Sequence, residues 1–376
     1  VMGFSDKLFL FVLLPPIIYE SAFMMDRRTF FHNAGSIMLI VVPGVVLSTA
    51  VIAVGTVAAG RMGWFTHEGR EPLNFSSPLE ASLFGSLISA TDPVATLAIL
   101  STVHISPVLF ALIFGEAMLN DAVSIVLYQV LRWYGDDAFS LSAMPVVMVD
   151  FLGIAVGSVL VGSGVGLCSA YLQRQVMGRA GHSVTGEMTL VILFGYLAYV
   201  ASDACNLSGI TALLVCGICQ RYYTFYSISH EAQHASHHVL KLMASRAEQF
   251  VFLYLGINVF LVSGEADLTS QVVRREWGQA LLCFAFFEVA LCVFARLVMV
   301  LCMCGLANLQ RKHRPSHFNE MMLMWWAGLR GAMAFALAKD LDNEVIVSLT
   351  ITVVLFTNLV QGCTTAWLVR RLNLVR

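Results

Sequence analysis

Eleven apolar runs follow one another along the chain, at 7–25, 36–59, 80–101, 107–133, 144–172, 186–201, 206–222, 245–262, 277–304, 319–339 and 345–369. About twenty apolar residues let an α-helix cross the ~30 Å hydrocarbon core of a bilayer. In that medium every backbone polar group must be satisfied internally, so only helices and closed barrels span. A barrel would show shorter segments of alternating character. The runs therefore predict an all-α polytopic membrane protein. Composition agrees, with 58% hydrophobic and only 12% charged residues, against about a quarter charged in soluble domains. A net charge of −2 gives no reason to expect a nucleic-acid partner. The nine cysteines sit mostly within apolar runs and make no zinc spacing, so they read as small buried hydrophobes and not as a disulfide framework.

Thirteen of the 22 Lys and Arg residues fall in one set of loops and seven in the other, with Arg296 and Arg330 inside helices. The positive-inside rule places the richer set in the cytoplasm. The N-terminus of the chain is then outside or lumenal and the C-terminus cytoplasmic. The sequon Asn74-Phe75-Ser76 falls in an outer loop, consistent with glycosylation of Asn74. Runs 186–201 and 206–222 are short and closely joined, which predicts an antiparallel hairpin. Pro15-Pro16 and Pro43-Gly44 interrupt the first two runs, where a neighbouring helix satisfies the kink. Gly153, Gly157, Gly162, Gly164 and Gly166 form a small-residue stripe suited to close helix packing. His230, His234, His237 and His238 share one face of an inner connecting helix. They read as a solvated face, with a pH sensor or metal site as the alternative.

The carboxylates need a separate account. Asp92, Glu116 and Asp121 lie within apolar runs, where one charge costs roughly 3 kcal/mol on insertion scales. Asp92 precedes Pro93, in Ser89-Ala90-Thr91-Asp92-Pro93. Proline removes a helix hydrogen bond and pushes the preceding residue out of α geometry, so the helix should break there. A break near the midplane exposes carbonyls and amides that can hold an ion. Glu116, Asn120 and Ser124 form a polar stripe at i+4 spacing, with Asp121 about a hundred degrees from Asn120. Oxygen ligands suit a hard cation such as sodium, and the same carboxylate can carry a proton instead. A site that holds one or the other is a minimal exchanger. Glycines 328 and 331 bracket Arg330, so a second helix should break there. A cation at a half-helix C-terminus and a carboxylate at an N-terminus each offset a helix dipole. Asp92 and Arg330 fit those roles. Arg296 has two candidate partners, Glu116 and Glu288, while Glu187 and Glu248 read as helix-end or structural acids.

These residues fall in motifs that run in one order over nearly the whole chain: LLPPIIYESAF (13–23), SATDPVATLAIL (89–100), FGEAMLNDAVSIVL (114–127), YLAYVASDACNLSGITALLVCGI (196–218), AEQFVFLYLGI (247–257), FARLVMV (294–300) and GLRGAMAFALA (328–338). Taken together they resemble the eukaryotic sodium/proton exchangers of the monovalent cation/proton antiporter group. The resemblance implies an NhaA-like antiporter fold with inverted repeats and two crossed discontinuous helices. It implies a homodimer of chains with thirteen membrane helices each. Since the first run starts almost at residue 1 and the chain does not begin with Met, it is expected to be the membrane core of a longer protein. Two helices then precede it, and a cytoplasmic regulatory tail, through which regulators bind, follows it. Within 1–376, the core helices would be about 80–133 and 245–339, and the dimerisation scaffold about 7–59, 186–222 and 345–370.

By motif, Asp121 is implied as the ion-binding carboxylate, with Asn120 beside it and Asp92 and Thr91 at the crossing. Glu116 is implied as the structural partner of Arg296, and Arg330 as the arginine of the second crossing helix. Leu10, Phe11, Pro15 and Pro16 match the region linked to amiloride-type inhibitors. The Asn120-Asp121 pair resembles electroneutral members, whereas electrogenic relatives have two adjacent aspartates. Tyr19-Glu20-Ser21 departs from plasma-membrane members towards endomembrane ones, and Glu288 has no family role. The implied activity is electroneutral exchange of sodium or potassium for protons by alternating access, regulating pH, ion content and volume. No cofactor is expected beyond the transported ions. A cation channel or a transport-inactive sensor of the same fold is the alternative. No nucleophile–base set, phosphate loop or zinc spacing points to an enzyme.

Overall fold

The computed structural model describes residues 9–25, 27–62, 77–101, 103, 105–134, 144–180, 183–264, 271–310, 318–341, 343–372 and 374. All eleven apolar runs fall on helices, three of them interrupted or divided in ways that matter to the site. A π-helical turn at Phe9–Leu13 leads into α1 (Leu14–Phe23). Pro15 and Pro16 stand in the first turn of α1, where an amide hydrogen has no intrahelical partner to lose. The proline pair thus opens the α-helix instead of kinking one. The chain continues through α2 (Arg27–Arg61), α3 (Pro78–Ser89), α4 (Pro93–Ser101) and α5 (Pro107–Trp133). Then come α6 (Met144–Ala180), α7 (Val184–Ala204), α8 (Gly209–Cys219) with a π-helical turn at Gln220–Thr224, and α9 (His230–Gly264). The series ends with α10 (Gln271–Gln310), α11 (Phe318–Trp326), α12 (Ala332–Asp340), α13 (Glu344–Phe356), a π-helical segment Thr357–Gly362 and α14 (Cys363–Arg371).

Contacts divide the chain into two units, residues 1–31 with 144–253, and residues 32–143 with 254–376. The expected scaffold set 7–59, 186–222 and 345–370 is therefore distributed over both units. In the first unit α7 and α8 form the expected hairpin, turning at Asn206 with φ 56° and packed on one another and on α6. Gly162 of α6 lies against the Ala212 backbone of α8, and Gly166 against Cys216 and Cys219, whereas Gly153 and Gly164 have open space beside them. Several buried polar groups in this unit are paired, although Gln173 Oε1 and Thr224 Oγ1 are not. The Tyr19 hydroxyl bonds to Gln220 and to the Val191 carbonyl, and Gln220 donates to Ser169 at 2.8 Å. Glu187 accepts from the Ser229 amide and hydroxyl at 2.9 and 2.7 Å.

The inner stretch carrying the histidines is not a separate connecting helix. It is the start of α9 and continues without a break into the run at 245–262. The four histidines are exposed, and His230 stacks on His234 at 5.0 Å. In the second unit a core of Ile40, Leu100, Leu109, Ile113, Met299, Met303 and Leu323 joins α2, α4, α5, α10 and α11. Helix α3 packs on α5 and α12, and α13 on α10 and α12. These contacts hold the two broken helices together.

Candidate functional site

Both breaks occur where the sequence places them. Residues 90–92 separate α3 from α4, and residues 327–331 separate α11 from α12. Pro93 opens α4 directly after Asp92. The two non-helical segments cross through their backbones. The Asp92 amide donates to the Leu329 carbonyl at 2.8 Å, and the Thr96 hydroxyl lies 2.8 Å from the Asp92 carbonyl and 3.1 Å from the Ala327 carbonyl. Gly331 permits this approach, since a Cβ there would sit 2.8–3.0 Å from the Asp92 side chain.

The charges then fall on the helix ends that suit them. Arg330, 1% exposed, is one of the largest fully buried side chains. Its guanidinium donates to the Ser89 carbonyl at 2.5 Å and the Ala90 carbonyl at 3.2 Å, at the C-terminal end of α3. The Asp92 carboxylate accepts from the Ala95 amide at 3.3 Å, at the N-terminal end of α4. A cation thus offsets the negative end of one half-helix dipole and an anion the positive end of the next.

Helix α5 brings the remaining residues to this crossing, starting on an N-cap at Ser106, which accepts from the Leu109 amide. Asn120 donates from Nδ2 to the Ser89 carbonyl and to Thr91 Oγ1, both at 2.9 Å. Asp121 is 7% exposed. It lies within electrostatic reach of Asp92, Arg330, Glu116 and the Thr91 backbone. Its Oδ1 is buried without a hydrogen-bond partner, as are Asn120 Oδ1 and Ser124 Oγ. Three unengaged oxygens on adjacent faces of one helix turn are a donor set for a hard cation or a proton.

Arg296 settles on one of its two candidate partners. It forms a bidentate pair with Glu116, Nη1–Oε1 at 2.5 Å and Nη2–Oε2 at 2.7 Å, and Nη2 also donates to the Met324 carbonyl at 3.1 Å. Both side chains are buried. Gly328 leaves room for the guanidinium, since a Cβ there would lie 2.6 Å from Nε. Glu288 meets Thr56 of α2 instead.

Three polar residues complete the crossing and escape the sequence reading. The Arg330 amide donates to Thr357 Oγ1 at 3.2 Å, and Asn358 Nδ2 donates to the Arg330 carbonyl at 2.8 Å. Ser89 holds the end of α3 through Ser48 Oγ at 3.1 Å. The signal was present in VVLFTNLVQG, where Thr357-Asn358 interrupts an apolar run and starts a π-helical segment. Such segments gather at functional sites.

Other expected site residues belong to the first unit or lie outside the described residues. Glu248 lies half-buried on α9 in the first unit. Pro15 and Pro16, with Tyr19, Gly195, Tyr196 and Leu213, line a small apolar cavity in that unit. Phe11 meets Tyr199 edge-on at 5.5 Å, and Leu10 belongs to the π-helical turn with its side chain outside the described residues. Asn74 also lies outside the described residues.

Comparison with known proteins gives a consistent result. The chain is 34% identical over 381 residues to sodium/hydrogen exchanger 8 of Homo sapiens, covering 99% of this chain and 61% of the relative. It is 32% identical over 389 residues to sodium/hydrogen exchanger 4 of Arabidopsis thaliana, covering 99% and 70%. The fold superposes on the sodium proton antiporter MjNhaP1 of Methanocaldococcus jannaschii with a TM-score of 0.68 at 19% identity, over 96% of this chain and 84% of that one. The chain thus spans about three fifths of the human relative's length. With the sodium/hydrogen exchanger transmembrane profile matched over residues 4–371, this chain is a membrane-spanning member of the sodium/hydrogen exchanger family.

Proposed function

We propose that this chain exchanges sodium or potassium for protons, one for one, with Asp121 carrying the ion. The observation that carries the proposal is the contrast among the buried acids at the crossing. Glu116 is spent on Arg296 and Asp92 caps α4, while Asp121 keeps a buried oxygen without a partner. Sodium (or potassium) and a proton compete for that carboxylate, and the carrier is loaded with one or the other as it alternates between the two sides of the membrane. Asn120 supports a one-to-one ratio, because its amide pins Ser89 and Thr91 and adds no second titratable charge. We further assign the chain to a homodimer in a plasma or endomembrane, with its C-terminus cytoplasmic and cytoplasmic regulators acting through sequence outside this chain. In that setting exchange adjusts pH, ion content and volume.

The test is proton flux in proteoliposomes under sodium, potassium and lithium gradients, with the membrane potential clamped at several values. The expected result is flux that follows the cation gradient, ignores voltage and disappears in Asp121→Asn. Flux that persists in that variant overturns the assignment of Asp121. Current without coupled proton movement would identify a channel instead.

A further inference from the structure

Among the described residues, Glu288 is the one buried acid in the membrane helices of the second unit that the exchange site does not use. It lies on α10 at 1% exposure, facing Thr56 of α2, which is fully buried. The two helices are in tight contact here, since a Cβ on Gly55 would lie 2.6 Å from the Leu291 side chain. Thr56 Oγ1 stands 2.9 Å from the Ile52 carbonyl and 3.0 Å from Glu288 Oε1. A hydroxyl has one proton to give and the carbonyl can only accept. If Thr56 donates to Ile52, as a threonine in a helix commonly does towards residue i−4, its contact with Glu288 is a hydrogen bond only when Glu288 supplies the proton. Glu288 Oε2 has no partner at all.

Among the described residues, the charged and titratable surroundings offer no compensation for an anion. On α10, Cys292 is one turn away and Arg296, two turns away, is held by Glu116. On α2 the nearest ionisable residue is Arg61 at the exposed helix end. The helices packed on α10, α11 and α13, contribute Glu320 and Glu344 in their first turns. An unpaired carboxylate in such a place costs far more than a neutral acid with one hydrogen bond. We infer that Glu288 is a proton-binding site separate from the exchange site, holding its proton at neutral pH and using it to bond α10 to Thr56 of α2. Loss of that proton puts an uncompensated charge between the two helices and loosens them. The device therefore makes the α2–α10 contact sensitive to alkaline pH through a residue that carries no ion.

The test uses the full-length protein in lipid and does not depend on transport. Infrared spectroscopy in H2O and D2O should show a protonated carboxylic acid C=O band at neutral pH that is lost in Glu288→Gln. In Thr56→Val the band should remain but shift, because its hydrogen bond is gone. Thermal unfolding should give Glu288→Gln the same midpoint as wild type only near or below the ordinary glutamate pKa of about 4.3, and a progressively higher one as pH rises, because the unfolded wild type releases a proton that the folded protein must keep. Should Glu288→Gln fail to fold, Glu288→Asp decides the matter by shifting the band. Absence of any Glu288-dependent acid band at neutral pH overturns the inference, as does a Thr56→Val spectrum identical to wild type.

Discussion

Three buried acids within thirty residues meet three different fates because their neighbours differ. Glu116 finds a guanidinium and both its oxygens are engaged. A buried pair of this kind is strongly interdependent, since removing one partner strands a charge at a cost of about 3–5 kcal/mol, whereas replacing both with apolar residues is often neutral. Glu116→Gln should therefore lower the unfolding midpoint sharply, and Glu116→Leu with Arg296→Met should recover most of the loss, as read by thermal unfolding in detergent. A double variant as unstable as the single would show that the pair matters through its hydrogen bond to the Met324 carbonyl and not through its charges. Asp121 is expected to behave oppositely. Its uncharged variant should fold normally and lose only flux, because nothing in the fold depends on its Oδ1.

At the scale of elements, the two breaks form a unit in which backbone meets backbone. Gly331 leaves little slack between them, with the Asp92 Cβ 2.8 Å from the place a methyl would occupy. Overpacking of this kind costs about 1–3 kcal/mol. Gly331→Ala should reduce both stability and flux, while Gly164→Ala, made where nothing lies within 4 Å, should leave both unchanged. Helix α13 offers a second check, because its N-cap Asn343 accepts from the Val345 and Ile346 amides. Asn343→Ala should cost about 1 kcal/mol, seen in unfolding and not in ion selectivity. Asp92 before Pro93 and the glycines around Arg330 made both breaks legible in the sequence, because proline and glycine act locally. Residue spacing alone left Glu116 and Glu288 both open as partners of Arg296, and only the motif resemblance pointed to Glu116; the support that Thr357, Asn358 and Ser48 give was not legible at all. Those contacts join residues far apart in sequence, and hydropathy says nothing of which helix faces which.

For the whole molecule, the apolar runs were enough to mark where the described membrane helices lie, since a crossing needs about twenty apolar residues. They were not enough to divide the helices into two units. That grouping depends on which faces pack, and the runs at 36–59 and 345–369 joined the broken helices. Orientation belongs to this scale too. If the loop containing Asn74 is lumenal or outside, treatment with a glycosidase should increase the electrophoretic mobility of the protein, and Asn74→Gln should remove that change. A protein whose mobility is indifferent to the enzyme would argue for a loop that is unmodified or cytoplasmic.

Helix α6 has a consequence that concerns the solvent more than the protein. It is 37 residues long, which corresponds to about 55 Å of axial rise, against a hydrocarbon core of ~30 Å. Its side chains Val149, Leu152, Val156, Leu160 and Tyr171 are exposed. A helix so long and so open to its surroundings must tilt or project past the headgroups. Bilayer thickness is therefore a variable that acts on α6 directly, and through Gly162 and Gly166 it reaches the hairpin packed behind it. Lipid chain length and sterol content become natural coordinates along which to examine this protein, alongside the ions on either side of it.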